Sequence, residues 1–409
     1  MLVYVKNQTG KPLMPTTCAR ARKLLKTGRA KVVSRMPFVI KLNYGSSGYK
    51  QEIVAGMDTG SKTVGCAAIS CCKVVYQSEV QLRNGICKKM ERRAMYRRTR
   101  RGRKTRYRKP RWQNRAASKR IGRLAPSIRS KIDSHLREKM FMESILPISR
   151  WKVELASFDI HKISNPDVKP NGYKNGKQKG FYNVKAFVLN RDEYRCQKCK
   201  AANVKLHVHH IVFKSNGGTN SPDNLITLCE KCHDKLHLGK FEIKGIKSRT
   251  KHATEIGIVK SQLEKRFLDF EPTYGYETKF KREQILELPK THYYDAVAIC
   301  CTEGEIVKPY PTVFFKKHVA AGDYQQTKGV RSEMKIPTGK LFGLRKFDRV
   351  QTLKGVGFVK GKRSSGYFSI EDINGNVLNA SVNIKKGCRR IAARTTTLIE
   401  RGFALSSKT

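Results

Sequence analysis

Two pairs of cysteines constrain this chain more than any other feature. Cys196-x2-Cys199 and Cys229-x2-Cys232 set two knuckles about thirty residues apart. Zinc takes four soft ligands in a tetrahedron, and this spacing supplies them. A metal held there is expected to keep a small domain together rather than to perform chemistry. The other eight of the twelve cysteines are scattered, several in apolar stretches such as DAVAICC. That pattern fits reduced thiols and one metal site, not a disulfide framework.

The segment between the knuckles is unusually rich in imidazole. Five of the ten histidines lie between His207 and His237. The pattern is His209-His210, thirteen residues, Asn224, eight residues, His233, three residues, His237. His233 and His237 share a face if they lie on a helix. Adjacent residues of a regular strand point to opposite faces, so His209 and His210 serve one phosphate only if the strand ends or bends there. A neutral imidazole suits deprotonation of water near pH 7. A divalent cation nearby stabilises charge growing on a phosphate. One histidine is usually structural; five at this spacing point to a hydrolytic centre.

Charge indicates what such a centre works on. Lys and Arg number 85 against 32 Asp and Glu, a net charge of +53. A surplus of that size repels itself unless a polyanion neutralises it, and nucleic acid is the natural partner. A membrane surface is the weaker reading, because no apolar run reaches the roughly 18 residues of a spanning helix. The opening MLVYVKNQTG is too soon interrupted by Lys6 for a signal peptide. The surplus is concentrated: Lys88 to Arg123 holds 18 Lys and Arg in 36 residues, with Glu91 as the one acid. Arg92, Arg93, Arg97, Arg98, Arg100 and Arg101 recur at spacings that ring a helix. Arg103, Arg106, Arg108 and Arg111 continue the run. Guanidinium forks grip phosphates in pairs of hydrogen bonds, and Tyr96, Tyr107 and Trp112 interleave as candidate stacking platforms. Gly102 and Pro110 are expected to interrupt or kink the helix.

Around this segment the pattern is mixed. Residues 1–52 read as a basic unit with a turn at PLMP, a short helix through Leu24 and Leu25, and a strand. Ile53 to Met57 and Val64 to Ile69 read as a hairpin, with KVVYQSEVQL as a third strand. SIRSKIDSHLREKMFMESIL reads as an amphipathic helix burying Ile128, Ile132, Leu136, Met140 and Phe141. WKVELASF reads as a strand, residues 164–182 as a linker, Lys251 to Leu268 and KTHYYDAVAICC as helices. After Glu305, short β-like runs from PTVFFKKHV onward suggest a small barrel.

Three acids stand at the ends or within these apolar elements: Asp58, Glu154, and Asp295, which follows His292 by three on a helix. An acid flanked by apolar strand residues is costly to bury without a partner. A pair of divalent cations is such a partner, and two-metal phosphodiester hydrolysis uses converging carboxylates.

The His-His…Asn…His spacing resembles the HNH nuclease motif. By that resemblance His210 is the general base, His209 a metal ligand, and Asn224 a ligand or an orienter of the base. His233 and His237 are further candidate ligands. The three acids with His292 resemble the centre of a split RuvC, an RNase H-like nuclease. With PLMP at 12–15, RYRKPRWQNR at 106–115, ELASFD at 154–159 and KRSSGYF at 362–368, the domain order resembles IscB. These are transposon-associated RNA-guided DNA endonucleases similar to the ancestors of HNH-containing CRISPR effectors. Many of the large effectors have an aspartate where this chain has His209.

The resemblance implies an α/β multidomain fold: an RNase H-like RuvC core split by an arginine-rich bridge helix and by an inserted ββα-metal HNH domain. The expected division is an N-terminal PLMP unit (1–52), RuvC segments at 53–86, 126–163 and 246–305, and the bridge helix at 87–125. Linkers with the HNH domain span 164–245, and a β-barrel-like domain spans 306–409. HNH would cut the guide-paired strand and RuvC the displaced one. Mg²⁺ is expected at both sites and Zn²⁺ at the four cysteines. Implied partners are a structured guide RNA and a double-stranded DNA target with a short flanking motif, in a monomeric cytoplasmic ribonucleoprotein without a membrane. A protein-only nuclease or a decayed RNA-binding scaffold are the rivals; RNA dependence of cleavage separates them.

Overall fold

The computed structural model describes residues 2–46, 48–104, 122–155, 180–213, 218, 220–243, 251–302, 307, 310–322 and 339–405; at 103, 104 and 251–254 it describes backbone alone. The chain divides into two compact units, Met1–Ala156 with Val259–Thr409, and Ser157–Ile258.

The first unit opens with a four-stranded sheet. β1 (Leu2–Lys6), β2 (Pro12–Thr17), β3 (Ala30–Arg35) and β4 (Phe38–Leu42) take the order β2-β1-β4-β3, with α1 (Cys18–Lys26) between β2 and β3. The Thr17 side chain starts α1 by accepting the Arg20 amide. PLMP, read from sequence as a turn, forms β2. Its prolines are tolerated because β2 is an edge strand, where a missing N–H costs no ladder bond.

The chain continues through β5 (Val54–Asp58), β6 (Thr63–Ser70), β7 (Lys73–Gln81), α2 (Ile86–Lys104), α3 (Pro126–Ile145) and β8 (Arg150–Glu154). The second unit contributes α4 (Val184–Arg191), β9 (Leu206–His210), β10 (Leu225–Cys229) and α5 (Glu230–His237). Then come α6 (Lys251–Arg266), β11 (Phe270–Thr273), α7 (Gly275–Phe280), α8 (His292–Cys300) and β12 (Thr312–His318). Last are β13 (Arg349–Thr352), β14 (Gly355–Lys362), β15 (Tyr367–Glu371), β16 (Val377–Asn383), β17 (Arg389–Ala392) and β18 (Thr397–Phe403).

A seven-stranded mixed sheet, β11-β8-β5-β6-β7-β12-β18, carries the first unit. β5, β6 and β7 form the antiparallel meander read from the sequence. β8 lies parallel beside β5, and β11 parallel beside β8. One face packs against α3 and α6 through Ile132, Met142, Leu263 and Phe267. The other packs against α8 through Tyr293, Tyr294, Ala296 and Val297.

Three further expectations are corrected. β12 and β18 belong to this large sheet, so the short β runs after Glu305 do not all build one small barrel. The remaining five strands form a separate sheet, β16-β15-β14-β13-β17. Gly102 does not interrupt α2, which runs to Lys104; one helical glycine costs only about 1 kcal/mol. Finally, α3 buries Ile128, Ile132, His135, Glu138, Met142 and Ile145, while Met140 is 68% exposed. The stripe is rotated because its face includes a carboxylate neutralised by Lys316 of β12, at 2.5 Å from Glu138.

Candidate catalytic centres

The large sheet brings the separated acids to one end. Asp58 closes β5, Glu154 closes β8, and the two are direct partners in the parallel register. α8 begins at His292, after Thr291 caps it by accepting the Tyr294 amide at 3.2 Å, and Asp295 lies in its first turn. The helix rests on the backbone of β5 and β6. A Cβ at Gly65 would stand 1.8 Å from the His292 carbonyl oxygen, and one at Gly56 2.5 Å from that of Ala296. Glycine is therefore required at both positions.

This close approach sets His292 Nδ1 2.6 Å from Asp58 Oδ2. One ligand atom each from Asp58, His292 and Asp295 lies within 4.8 Å of the others. The Asp58 carboxylate draws the His292 imidazole toward its protonated form. Burial, Asp58 and Asp295 push the Glu154 carboxyl up to about 7, although its hydrogen bond from Thr278 Oγ1, at 2.7 Å, works the other way. Burial and Asp58 also raise Asp295, although Arg282 is ion-paired with it. Crowded carboxylates with raised proton affinity fit a divalent cation bound by hard oxygen ligands.

Sequence reading passed over three neighbours. Thr278 holds Glu154, buried Arg282 holds Asp295, and Glu79 on β7 is raised by burial, with Asp58 adding to the shift. Thr278 and Arg282 are four apart in a helical stretch, the one signal that they share a face. Glu79 sits in an alternating strand that marks no chemistry.

In the second unit, β9 and β10 pair antiparallel and α5 follows directly. The Sγ atoms of Cys196, Cys199, Cys229 and Cys232 lie within 4.8 Å of one another, with Cys199 and Cys229 at 3.7 Å. A tetrahedral zinc with Zn–S near 2.3 Å sets its sulfurs about 3.8 Å apart, so the four thiols fit that ion. Cys196, Cys229 and Cys232 pack with Leu228 as this module's core.

On the same framework His209, His233 and His237 bring ring nitrogens within 4.8 Å of one another, His233 Nε2 and His237 Nε2 at 3.3 Å. α5 places the last two on one face, as their spacing requires. Burial first, then His233, His237 and His210, brings His209 down to about 4. It is therefore neutral at pH 7, with a lone pair free for a cation. His210 is the last residue of β9 and points elsewhere, its Nε2 2.9 Å from Asn220 Oδ1. Asn224 is buried, and its amide pairs with the backbone of Val212, accepting from the N–H at 2.9 Å and donating to the carbonyl at 3.0 Å. It pins the chain just after His210. His207 stacks on His233 with ring centroids 5.2 Å apart.

Arg92, Arg93, Arg97, Arg98, Arg100 and Arg101 all lie on α2. Tyr96 is 7% exposed, so it packs inward and offers no open face for stacking. Arg106, Tyr107, Arg108, Arg111 and Trp112 fall outside the described residues, as does the side chain of Arg103. Among the described residues, no helix is long and apolar enough to cross a membrane.

Residues 3–176 match the family described as RRXRR protein, and residues 196–238 match HNH endonuclease. Anaredoxin of Nostoc sp. is 39% identical over 56 residues, 14% of this chain and 74% of that protein. The type IV methyl-directed restriction enzyme EcoKMcrA of Escherichia coli is 35% identical over 65 residues. That match covers 14% of this chain and 24% of the restriction enzyme, so the chain spans about a quarter of its length. The chain thus joins an RRXRR segment to an HNH endonuclease domain and is a metal-dependent nuclease.

Proposed function

We propose that this chain is an RNA-guided DNA endonuclease with two hydrolytic centres, one in each compact unit. The observation that carries the reading is the coexistence of an acid–imidazole cluster at Asp58, His292 and Asp295, with Glu154 beside Asp58 on the next strand, and a separate imidazole group at His209, His233 and His237. One strand of a duplex needs one centre; two chemically different centres suit two strands. The sheet order β7-β6-β5-β8-β11, with an antiparallel meander followed by parallel strands, supports an RNase H-like, RuvC-type core around the acids. The cationic α2 supports the role of bridge helix.

At the acid centre Asp58, Glu154 and Asp295 would hold Mg²⁺. Its charge would activate water and stabilise the leaving oxygen. Glu154 is kept in place by Thr278, Asp295 by Arg282, and His292 by Asp58. At the imidazole centre His209, His233 and His237 would hold the cation, and His210 would take the proton from the attacking water. Asn224 would fix the backbone that carries His210. HNH would cut the guide-paired strand and RuvC the displaced one. Base pairing with a structured RNA would read most of the target sequence, with the protein reading a short flanking motif. The five-stranded C-terminal sheet is the candidate reader of that motif.

The test is cleavage by the purified chain with its co-purified RNA. Cutting directed by that RNA, and lost after ribonuclease treatment, is expected. Equal cutting after ribonuclease treatment would refute RNA guidance.

A further inference from the structure

The fold also assembles a cationic pocket in the first unit, lined by none of the candidate catalytic residues. A cavity of about 250 Å³ lies where Arg83, just after β7, meets the first half of α3. Arg129, Ser130, Asp133, Ser134 and Arg137 line it with Arg83. Arg129, Asp133 and Arg137 are each four apart on α3, so they share a face. Among the described residues, Arg83 and Arg137 have neither an ion-pair nor a hydrogen-bond partner. The one acid, Asp133, is 3.8 Å from Arg129 Nε, with both side chains mostly exposed. Such a pair is worth little. Burial, Arg137 and Arg93 of α2 all make the Arg83 guanidinium less basic than usual. Arg83 precedes Arg129 by 46 residues in the sequence, and the fold nevertheless sets like charges together. That arrangement costs stability until an anion occupies it.

We propose that Arg83, Arg129 and Arg137 clasp one phosphodiester group of a bound nucleic acid. Guanidinium forks match phosphate oxygens in pairs. The Ser134 hydroxyl donates to the Ser130 carbonyl at 2.8 Å, so the Ser130 hydroxyl is the one left to add a donor. At about 30 Å³ per water the cavity holds roughly eight waters, the size of a phosphate with part of its hydration. Because α2 packs against α3, the phosphate belongs to the strand that α2 grips. Under the RNA-guided reading, on which this assignment rests, that strand is the RNA.

The test uses the full chain freed of co-purified RNA. Binding of poly(rU), poly(dT) and a mixed DNA duplex is measured across a salt series. Arg137→Gln is expected to weaken poly(rU) binding and to reduce its salt slope by about 1, the signature of one lost phosphate contact. Adding Arg83→Gln should lower the slope no further, because both residues hold the same phosphate. Arg137→Lys should keep the slope with weaker binding. Without polyanion, Arg137→Gln should melt no lower than the parent, since it removes an unpaired charge. Unchanged slopes for every polymer, or a lower melting temperature, would overturn the pocket. A slope reduced for poly(dT) and the duplex but not for poly(rU) would overturn the RNA assignment and give the phosphate to DNA. Ribonuclease-resistant cleavage would sink RNA guidance alone and leave the slope comparison standing.

Discussion

Asp58 and Glu154 face one another across neighbouring parallel strands, at the ends of β5 and β8. They lie 96 positions apart in the chain, yet the sheet register makes them immediate neighbours. That proximity, added to burial, lifts Glu154 to about 7.

The first prediction follows from that lift. Glu154 has an ordinary pKa of 4.5 when unfolded and about 7 when folded. Between these values the folded chain binds more protons than the unfolded one, so stability falls as pH rises. Asp295 and Glu79, also raised, act in the same direction. In a chelator, thermal melting of the parent should drop more steeply from pH 4.5 to 7 than that of Glu154→Gln. Magnesium should reduce the drop at the upper end. Parallel melting profiles for the two proteins would contradict the lift.

Glu138 and Lys316 make a second test. Their side chains are 2% and 1% exposed. Glu138 also accepts from Tyr76 Oη at 2.9 Å and Ser78 Oγ at 3.1 Å. Burial pushes its carboxyl up, but Lys316 and the Tyr76 hydroxyl outweigh it and hold Glu138 below its ordinary range. Lys316→Met alone strands a buried carboxylate and should cost about 3–5 kcal/mol. Glu138→Gln with Lys316→Met should recover most of that, because the amide oxygen still accepts from Tyr76 and Ser78. Urea midpoints of the parent, the single and the double variant check it.

That pair also shows where sequence reading stops. A Glu on an amphipathic helix is read as solvent-facing, and nothing near it in sequence reveals Lys316, 178 residues away. The same limit explains β12 and β18: alternation identifies a strand but not the sheet it joins. The rotated stripe of α3 and the partners Thr278 and Arg282 were hidden likewise. Local features were legible. Apolar runs showed the β5–β6 hairpin, spacing put His233 and His237 on one helical face, and the cysteine pairs announced their cluster. Asn224 lies between: its spacing marked it, but only the fold shows its amide on the Val212 backbone.

The cysteine cluster gives a third expectation. With sulfurs as close as 3.7 Å, the purified chain should carry one zinc that a strong chelator removes. Cys196→Ser should lower the zinc content, whereas Cys71→Ser, at an exposed turn cysteine, should not. Loss of zinc should unfold the residues around β9, β10 and α5 while the large sheet keeps its amide protection, because the cluster is much of that module's small core. Elemental analysis with hydrogen exchange reads both effects. Full zinc retained by Cys196→Ser would remove the cluster from the account.

The two centres should come apart strand by strand. His210 lies at the end of β9 beside Asn220, and Asp58 at the end of β5 beside His292; each is in its own compact unit. His210→Ala should abolish cutting of the guide-paired strand by at least about 100-fold, the usual scale for a lost general base, and leave the other strand cut. Asp58→Ala should do the reverse, since it removes a carboxylate on which Glu154, His292 and Asp295 all depend electrostatically. His209→Ala should resemble His210→Ala in the strand it spares but should also weaken metal dependence, because His209 belongs to the imidazole group and His210 does not. A target labelled on either strand distinguishes these nicks on a denaturing gel. Loss of both cuts from either His210→Ala or Asp58→Ala would mean that one centre serves both strands.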